Sequence, residues 1–336
     1  MVASRLAIVA VLAVAGFAAS AASASGQTPT RAPGTVALEP APEIAGVIRG
    51  GTLPEVVVRG LRSADDPLWL PDVGLIFTES QANRVVRLTG DDRVVTFIGD
   101  LHGPLGMTLD RQGRLISLQT RPGFAGPRVI WPAGEERLIA DRFEGRPFGR
   151  PNDIVSDRHG GLYFSDLGPR PTPAGGLSPA VYYVAPGGTP VRVADEVARP
   201  NGVMLSRDEK TLYVNDTGGI HVYAFDVRPD GRLANRRVFA TSRGRDRSIP
   251  ATEPPVSSAD GLAIDDEGRL YGLTEAGIEV LGSDGRYLGV IPVWCITRRC
   301  QNLAFGGPDK RTLYVAGGGT LLRIAMSAQG FRERVK

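Results

Sequence analysis

The sequence is poor in the residues that build most metal clusters and many enzyme sites. Two cysteines and three histidines are spread through 336 residues. Two cysteines cannot form a thiolate metal site, and no further soft ligand stands near them. Lysine is nearly absent too, since 36 of the 39 basic residues are arginine. The arginines alternate with Asp and Glu, the formal net charge is only +3, and no run of five like charges occurs. That pattern argues against a nucleic-acid partner and for a solvated mixed-charge surface. The chain lacks a G-x-S-x-G elbow, an H-E-x-x-H pair and a Walker loop, so three common routes to hydrolysis have no residues here. Beyond the first two dozen residues no apolar stretch reaches the roughly 20 needed to span a bilayer.

What is abundant is turn chemistry. Glycine and proline supply 43 and 26 residues, about a fifth of the chain, which excludes a helical bundle or coiled coil. Residues 1–24 place Arg5 before an apolar run from Leu6 to about Ala19, then small residues with Ala22-Ser23-Ala24 as an A-x-A cleavage site, the pattern of a cleaved signal peptide. The mature chain is therefore expected to be periplasmic or secreted, without a membrane span. The close pair Cys295 and Cys300, in WCITRRC, then suggests one disulfide. Residues 25–45 are rich in Pro and Ala and read as an arm outside the core.

The remaining length, 46–336, carries an internal repeat. A polar turn followed by a short apolar strand recurs as LPDVGLIFTES, DRQGRLISLQT, DRHGGLYFSDL, SRDEKTLYVNDT, DDEGRLYGLTE and GPDKRTLYVAGG. The turns fall about 39 to 58 residues apart, bracketing the spacing of propeller blades. Each copy has strand-like runs before and after it, so six antiparallel meanders follow one another. A lone meander cannot bury both faces, whereas six packed radially can. The expected fold is all-β: a six-bladed β-propeller with four-stranded antiparallel blades. The last blade has three strands at the C-terminus, and PEVVVRGL (54–61) is placed to supply the fourth.

Phasing the six copies aligns the segments at one mouth of the channel. The equivalent position is Asp65, Leu105, Asn152, Asn201, Asp260 and Asn302. Five of these carry carboxylates or carboxamides. Asn and Asp also cap loops, which is the structural explanation. The chemical one is convergence: hard oxygen ligands suit Ca²⁺, Mg²⁺ or Mn²⁺, and two carboxylates match one divalent cation. Without an ion the two would repel, and one would tend to keep its proton.

The motifs RPND (150–153), RPNG (199–202), SADG (258–261) and NLAFGG (302–307) together resemble the SMP-30/gluconolactonase/LRE-like family of six-bladed propellers. The resemblance runs from about Glu55 to Ile324. It implies a lactonase acting on a sugar or related lactone, with one divalent cation, Ca²⁺ ahead of Zn²⁺, Mn²⁺ or Mg²⁺. Carried over by motif, Asn152, Asn201 and Asp260 are metal ligands. The fourth ligand in the family is Glu, where this chain has Asp65 followed by Asp66. The shorter side chain stops roughly 1.3 Å sooner, so a backbone shift, a bridging water or Asp66 must make up the difference. Leu105 departs as well, giving the pocket an apolar wall that favours a less hydroxylated substrate or another pose.

In the implied reaction Asp260 is the base that takes a proton from water, and the cation polarises the lactone carbonyl. Asn302 is either a pocket residue or a loop residue. His102 lies three residues before the second-blade axis position and is a proton shuttle at the mouth or a surface histidine. Arg121, in the Gly- and Pro-rich loop TRPGFAGP, binds substrate or is an ordinary exposed arginine. His159 and His221 read as structural. Two alternatives use the same site: hydrolysis of a phosphotriester or other ester, and ligand binding without catalysis.

Overall fold

A computed structural model describes residues 38–168, 177–245, 248–295 and 300–334. The leader at 1–24 and most of the arm at 25–45 lie outside the described residues.

Six four-stranded antiparallel sheets follow one another along the chain. Their innermost strands are Ala64–Leu70, Pro104–Leu109, Pro151–Ser156, Pro200–Leu205, Leu262–Ile264 and Asn302–Gly306. Each packs beside the next, and the sixth packs beside the first, so the sheets form the blades of a closed six-bladed propeller. Closure uses the strand expected for it: Glu55–Arg59 pairs antiparallel with Thr320–Ala325 and completes blade six. Among the described residues no helix is long and apolar enough to cross a membrane.

The repeated Asp-containing turns are explained by their hydrogen bonds. Asp110 Oδ1 accepts the backbone N–H groups of Gln112 and Arg114, both at 2.9 Å. Asp157 Oδ1 does the same for His159 and Gly161 at 2.8 Å, and Asp265 Oδ1 for Glu267 and Arg269 at 2.9 Å. A short acceptor at the start of the turn thus satisfies two donors that the strands leave free.

The core lies between blades. Leu68, Ile76 and Val85 of blade one meet Met107, Leu115 and Ile130 of blade two, and the other clusters repeat this across each neighbouring pair. Full burial of one such side chain contributes roughly 1.5–3 kcal/mol, so the ring is stabilised mainly by blade-on-blade contact. The packing begins before residue 46. Ala41 and Ile44 are buried with blades five and six, and Val47 O accepts the N–H groups of Ser327 and Ala328. The sequence boundary between arm and propeller therefore cuts through a turn that belongs to the core.

Candidate functional site

The inner strands share one irregularity. In blades one to four the pairing with the second strand slips by one residue, between Asp65 and Leu68, Pro104 and Met107, Pro151 and Ile154, and Pro200 and Val203. A bulge of this kind leaves two consecutive residues opposite one partner. In blades five and six, Asp260 N–H donates to Leu273 O at 3.0 Å and Gln301 N–H to Ala316 O at 2.8 Å, which sets the register there.

Two rings result. The mouth ring is Asp65, Leu105, Asn152, Asn201, Asp260 and Gln301. The ring one residue deeper is Asp66, Gly106, Asp153, Gly202, Gly261 and Asn302. Burial follows the order: Leu105, Asn152 and Gln301 are half-buried, whereas every member of the deeper ring is buried.

The deeper ring stitches neighbouring blades. The Asp66 carboxylate accepts Met107 N–H of blade two, and Asn302 Nδ2 of blade six donates to it at 2.8 Å. Asp153 Oδ2 accepts Val203 N–H of blade four at 2.9 Å. Where no side chain bonds across, glycine permits contact. A Cβ on Gly106 would lie 2.8 Å from Asn152 O, one on Gly202 2.3 Å from Asp260 O, and one on Gly261 2.0 Å from Asn302 Oδ1.

This geometry corrects one alignment. Asn302 belongs to the deeper ring, and Gln301 holds the mouth position assigned to it from sequence. Asn302 Nδ2 is bonded to Asp66 and its Oδ1 accepts Leu303 N–H at 2.9 Å, so its side chain ties blades together. The Asp66 carboxylate is likewise turned to Met107 and Asn302. Asp65 is held at both oxygens: Oδ1 accepts Asp66 N–H at 2.8 Å and Oδ2 accepts Gln301 Nε2 at 3.0 Å.

Asp65, Asn201 and Asp260 are only 7%, 4% and 8% exposed. The Asn201 Oδ1 atom is buried and has no hydrogen-bond partner. A buried amide oxygen left unpaired costs about 1–3 kcal/mol, so its presence requires a reason. A hard cation is one, because it would use that lone pair together with two carboxylates and a second carboxamide. This donor set therefore fits a divalent ion. Among the described residues no three His, Cys, Asp or Glu side chains gather as a metal cluster, at the mouth or away from it, so a cation here would depend on the two carboxamides as well as the two carboxylates.

Other polar groups fix the loops that enter the mouth. At the ends of second strands, Glu79 accepts Arg62 N–H, Gln119 Oε1 accepts His102 N–H at 2.6 Å, and Asp216 Oδ1 accepts Arg199 N–H at 3.1 Å. Asp166 accepts Gly149 N–H at 2.8 Å and Arg150 N–H at 2.6 Å. Burial pushes the Asp166 and Asp216 carboxyls above the usual carboxylate range, and the backbone donors pull the other way. Asn215 Nδ2 donates to Asp260 O at 2.9 Å and fixes that residue's backbone. Sequence reasoning missed these groups and Gln301. The acid or amide ending GLIFTE, LISLQ, LYFSD and TLYVND was the available signal.

His102 and Arg121 lie on mouth-side connections of blade two. The His102 ring stacks on Phe124 with centroids 3.5 Å apart. Arg121 Nη2 is 3.4 Å from Asn83 Oδ1. Cys295 and Cys300 form a disulfide immediately before Gln301, with Cα atoms 5.1 Å apart.

A family model described as SMP-30/gluconolactonase/LRE-like region matches residues 64–318. A gluconolactonase of Zymomonas mobilis is 23% identical over 324 residues, covering 86% of each chain. Pentonolactonase XacC of Haloferax volcanii is 27% identical over 271 residues, covering 80% of this chain and 86% of its own. The solved structure of a gluconolactonase from Xanthomonas campestris matches with a TM-score of 0.71 and 26% identity, covering 88% of this chain and 99% of that one.

Proposed function

Because the chain belongs to the SMP-30/gluconolactonase/LRE-like family, we propose that it is a metal-dependent hydrolase that opens lactone rings at the mouth ring of the propeller. The observation that carries this is the buried, unpartnered Asn201 Oδ1 beside inner-strand neighbours bearing carboxylates. Asp65, Asn152, Asn201 and Asp260 would hold one divalent cation, and Ca²⁺ best suits an all-oxygen set. When bound, such a cation supplies Lewis-acid polarisation of the lactone carbonyl.

The chain's own residues supply the rest. Asp260 accepts a proton from water as the water oxygen bonds to the carbonyl carbon. The ring C–O bond then breaks, and the proton passes from Asp260 to the departing alkoxide oxygen, giving a hydroxy acid. A carboxylate that shares a cation is a weaker base, so its geometry must be fixed. Asn215 on the Asp260 carbonyl, and Gly202 packed against the same oxygen, provide that restraint. Gln301 does the same for Asp65. Export to the periplasm or beyond is supported by the leader pattern and by the cysteine pair.

Ring opening followed by acid release, with and without a chelator, tests the assignment. Activity should vanish on chelation, return with Ca²⁺, and be lost in Asp260→Ala. Hydrolysis that survives both chelation and Asp260→Ala refutes it.

A further inference from the structure

The mouth ring is polar in five sectors and apolar in one. Leu105 stands between Asp65 and Asn152 at the same register, and it is half-buried at a position where its own strand is otherwise buried through Thr108. The loop beside it, between the second and third strands of blade two, presents Phe124, which is 37% exposed. Phe124 is stacked on His102, and the Arg128 guanidinium lies over its ring, 5.7 Å from the ring centre.

A second exposed aromatic, Trp294, lies on the connection into blade six, the other neighbour of blade one. The six exposed large apolar residues among those described are Leu53, Val95, Phe124, Leu138, Val238 and Trp294. The two aromatic ones are those on mouth-side connections, and both flank the Asp65 sector.

A polyhydroxylated ring pressed against the Leu105 and Phe124 side chains loses water from its hydroxyls and finds no donor or acceptor on those two, only the His102 ring and the Arg128 guanidinium beside Phe124. An alkyl or aryl group loses only unfavourable contact with water. We infer that the substrate is a lactone bearing an apolar substituent on its ring, seated against Leu105 and Phe124, rather than a sugar lactone. This rests on the lactonase reading above and names the substrate class within it.

Three six-membered lactones separate the possibilities: δ-valerolactone, δ-nonalactone, which adds a butyl chain to the same ring, and D-glucono-1,5-lactone. For the wild type, kcat/KM should be about tenfold or more higher for δ-nonalactone than for δ-valerolactone, and lowest for the sugar lactone. Leu105→Asn should shrink the nonalactone preference several-fold and raise use of the sugar lactone. Phe124→Ser, a rim change that the fold tolerates more easily, should shrink the preference without that gain. A wild type that prefers the sugar lactone, or a nonalactone preference unchanged in both variants, overturns the inference while leaving lactone hydrolysis standing. Failure to open any of the three removes both.

Discussion

Replacing Gly202 with alanine would place a methyl carbon 2.3 Å from Asp260 O and 3.1 Å from both Gly261 C and Leu262 Cγ. Carbon–oxygen contacts of this kind settle near ~3.3 Å, so one strand must retreat by about 1 Å. Neither is free to do so cheaply. Asp260 O is bonded to Asn215 Nδ2 at 2.9 Å, and Asp260 N–H to Leu273 O at 3.0 Å. Overpacking of a close-packed core costs about 1–3 kcal/mol, or roughly 2–5 °C in Tm for a domain of this size. The effect on chemistry should be larger, because a displacement of about 1 Å in a positioned catalytic group lowers rate by about a hundredfold. Gly90→Ala is the control, since nothing lies within 4 Å of its added Cβ, and its stability should stay within about 0.5 kcal/mol of wild type. Thermal unfolding, calorimetric Ca²⁺ titration and kcat/KM on one lactone read the three consequences. If Gly202→Ala loses stability but keeps wild-type kcat/KM and Ca²⁺ affinity, Asp260 has no part in binding or chemistry. If it loses neither, the inner strands are not packed as the ring requires.

Three further outcomes follow from the same contacts. Asn201→Leu removes the unpaired oxygen while roughly keeping volume, so Tm in chelator should hold or rise, and the Ca²⁺-induced rise in Tm should disappear; a large loss of stability in chelator would mean the amide is bonded within the protein. Gln301→Ala frees Asp65 Oδ2 of its partner and should weaken Ca²⁺ binding about tenfold, as loss of an outer-shell partner does; unchanged affinity by calorimetry would show that Gln301 does not position Asp65. At the opposite end of the fold, Lys310 Nζ donates to Phe331 O at 3.0 Å and Arg334 O at 2.7 Å, and burial lowers its pKa from 10.5 to about 8. The folded state therefore holds this proton less tightly than the unfolded chain: the relief is complete above about 10.5 and is lost as pH falls through about 8. Lys310→Met should flatten this part of the stability profile between pH 8 and 10, and an unchanged slope in denaturant titrations would refute the assignment.

The blade count was legible because two independent periods agree. Strand alternation recurs inside each unit, and the Asp-led turns recur between units, each Asp satisfying two backbone donors. The closing strand was legible for a simpler reason: three strands remained at the end and one apolar run stood unpaired at the start. The start of the core was not, since Ala41 and Ile44 sit among prolines and polar residues and reveal their burial only through contacts with blades five and six.

The ring of positions at the mouth was legible to within one residue, and that residue shows what a motif omits. Aligning NLAFGG with ADG and PNG put Asn302 on the axis because it is the carboxamide at hand. A bulge turns two consecutive residues toward the centre, however, and the sequence does not mark which of them is at the mouth. The deciding facts come from neighbouring blades: Gly261 leaves room for Asn302 Oδ1, and Asp66 accepts its Nδ2. Once Asn302 is committed there, Gln301 must be at the mouth, and its 3.0 Å bond to Asp65 follows. The shorter reach of Asp65 and the presence of Gln301 are then linked, since a short carboxylate has less freedom to find its ligand position unaided and gains more from a fixed donor. On that account Asp65→Glu, which restores the missing methylene, should make Gln301 dispensable. Gln301→Ala should cost far less Ca²⁺ affinity in the Glu background than in the wild type, and equal losses in the two backgrounds would break the link.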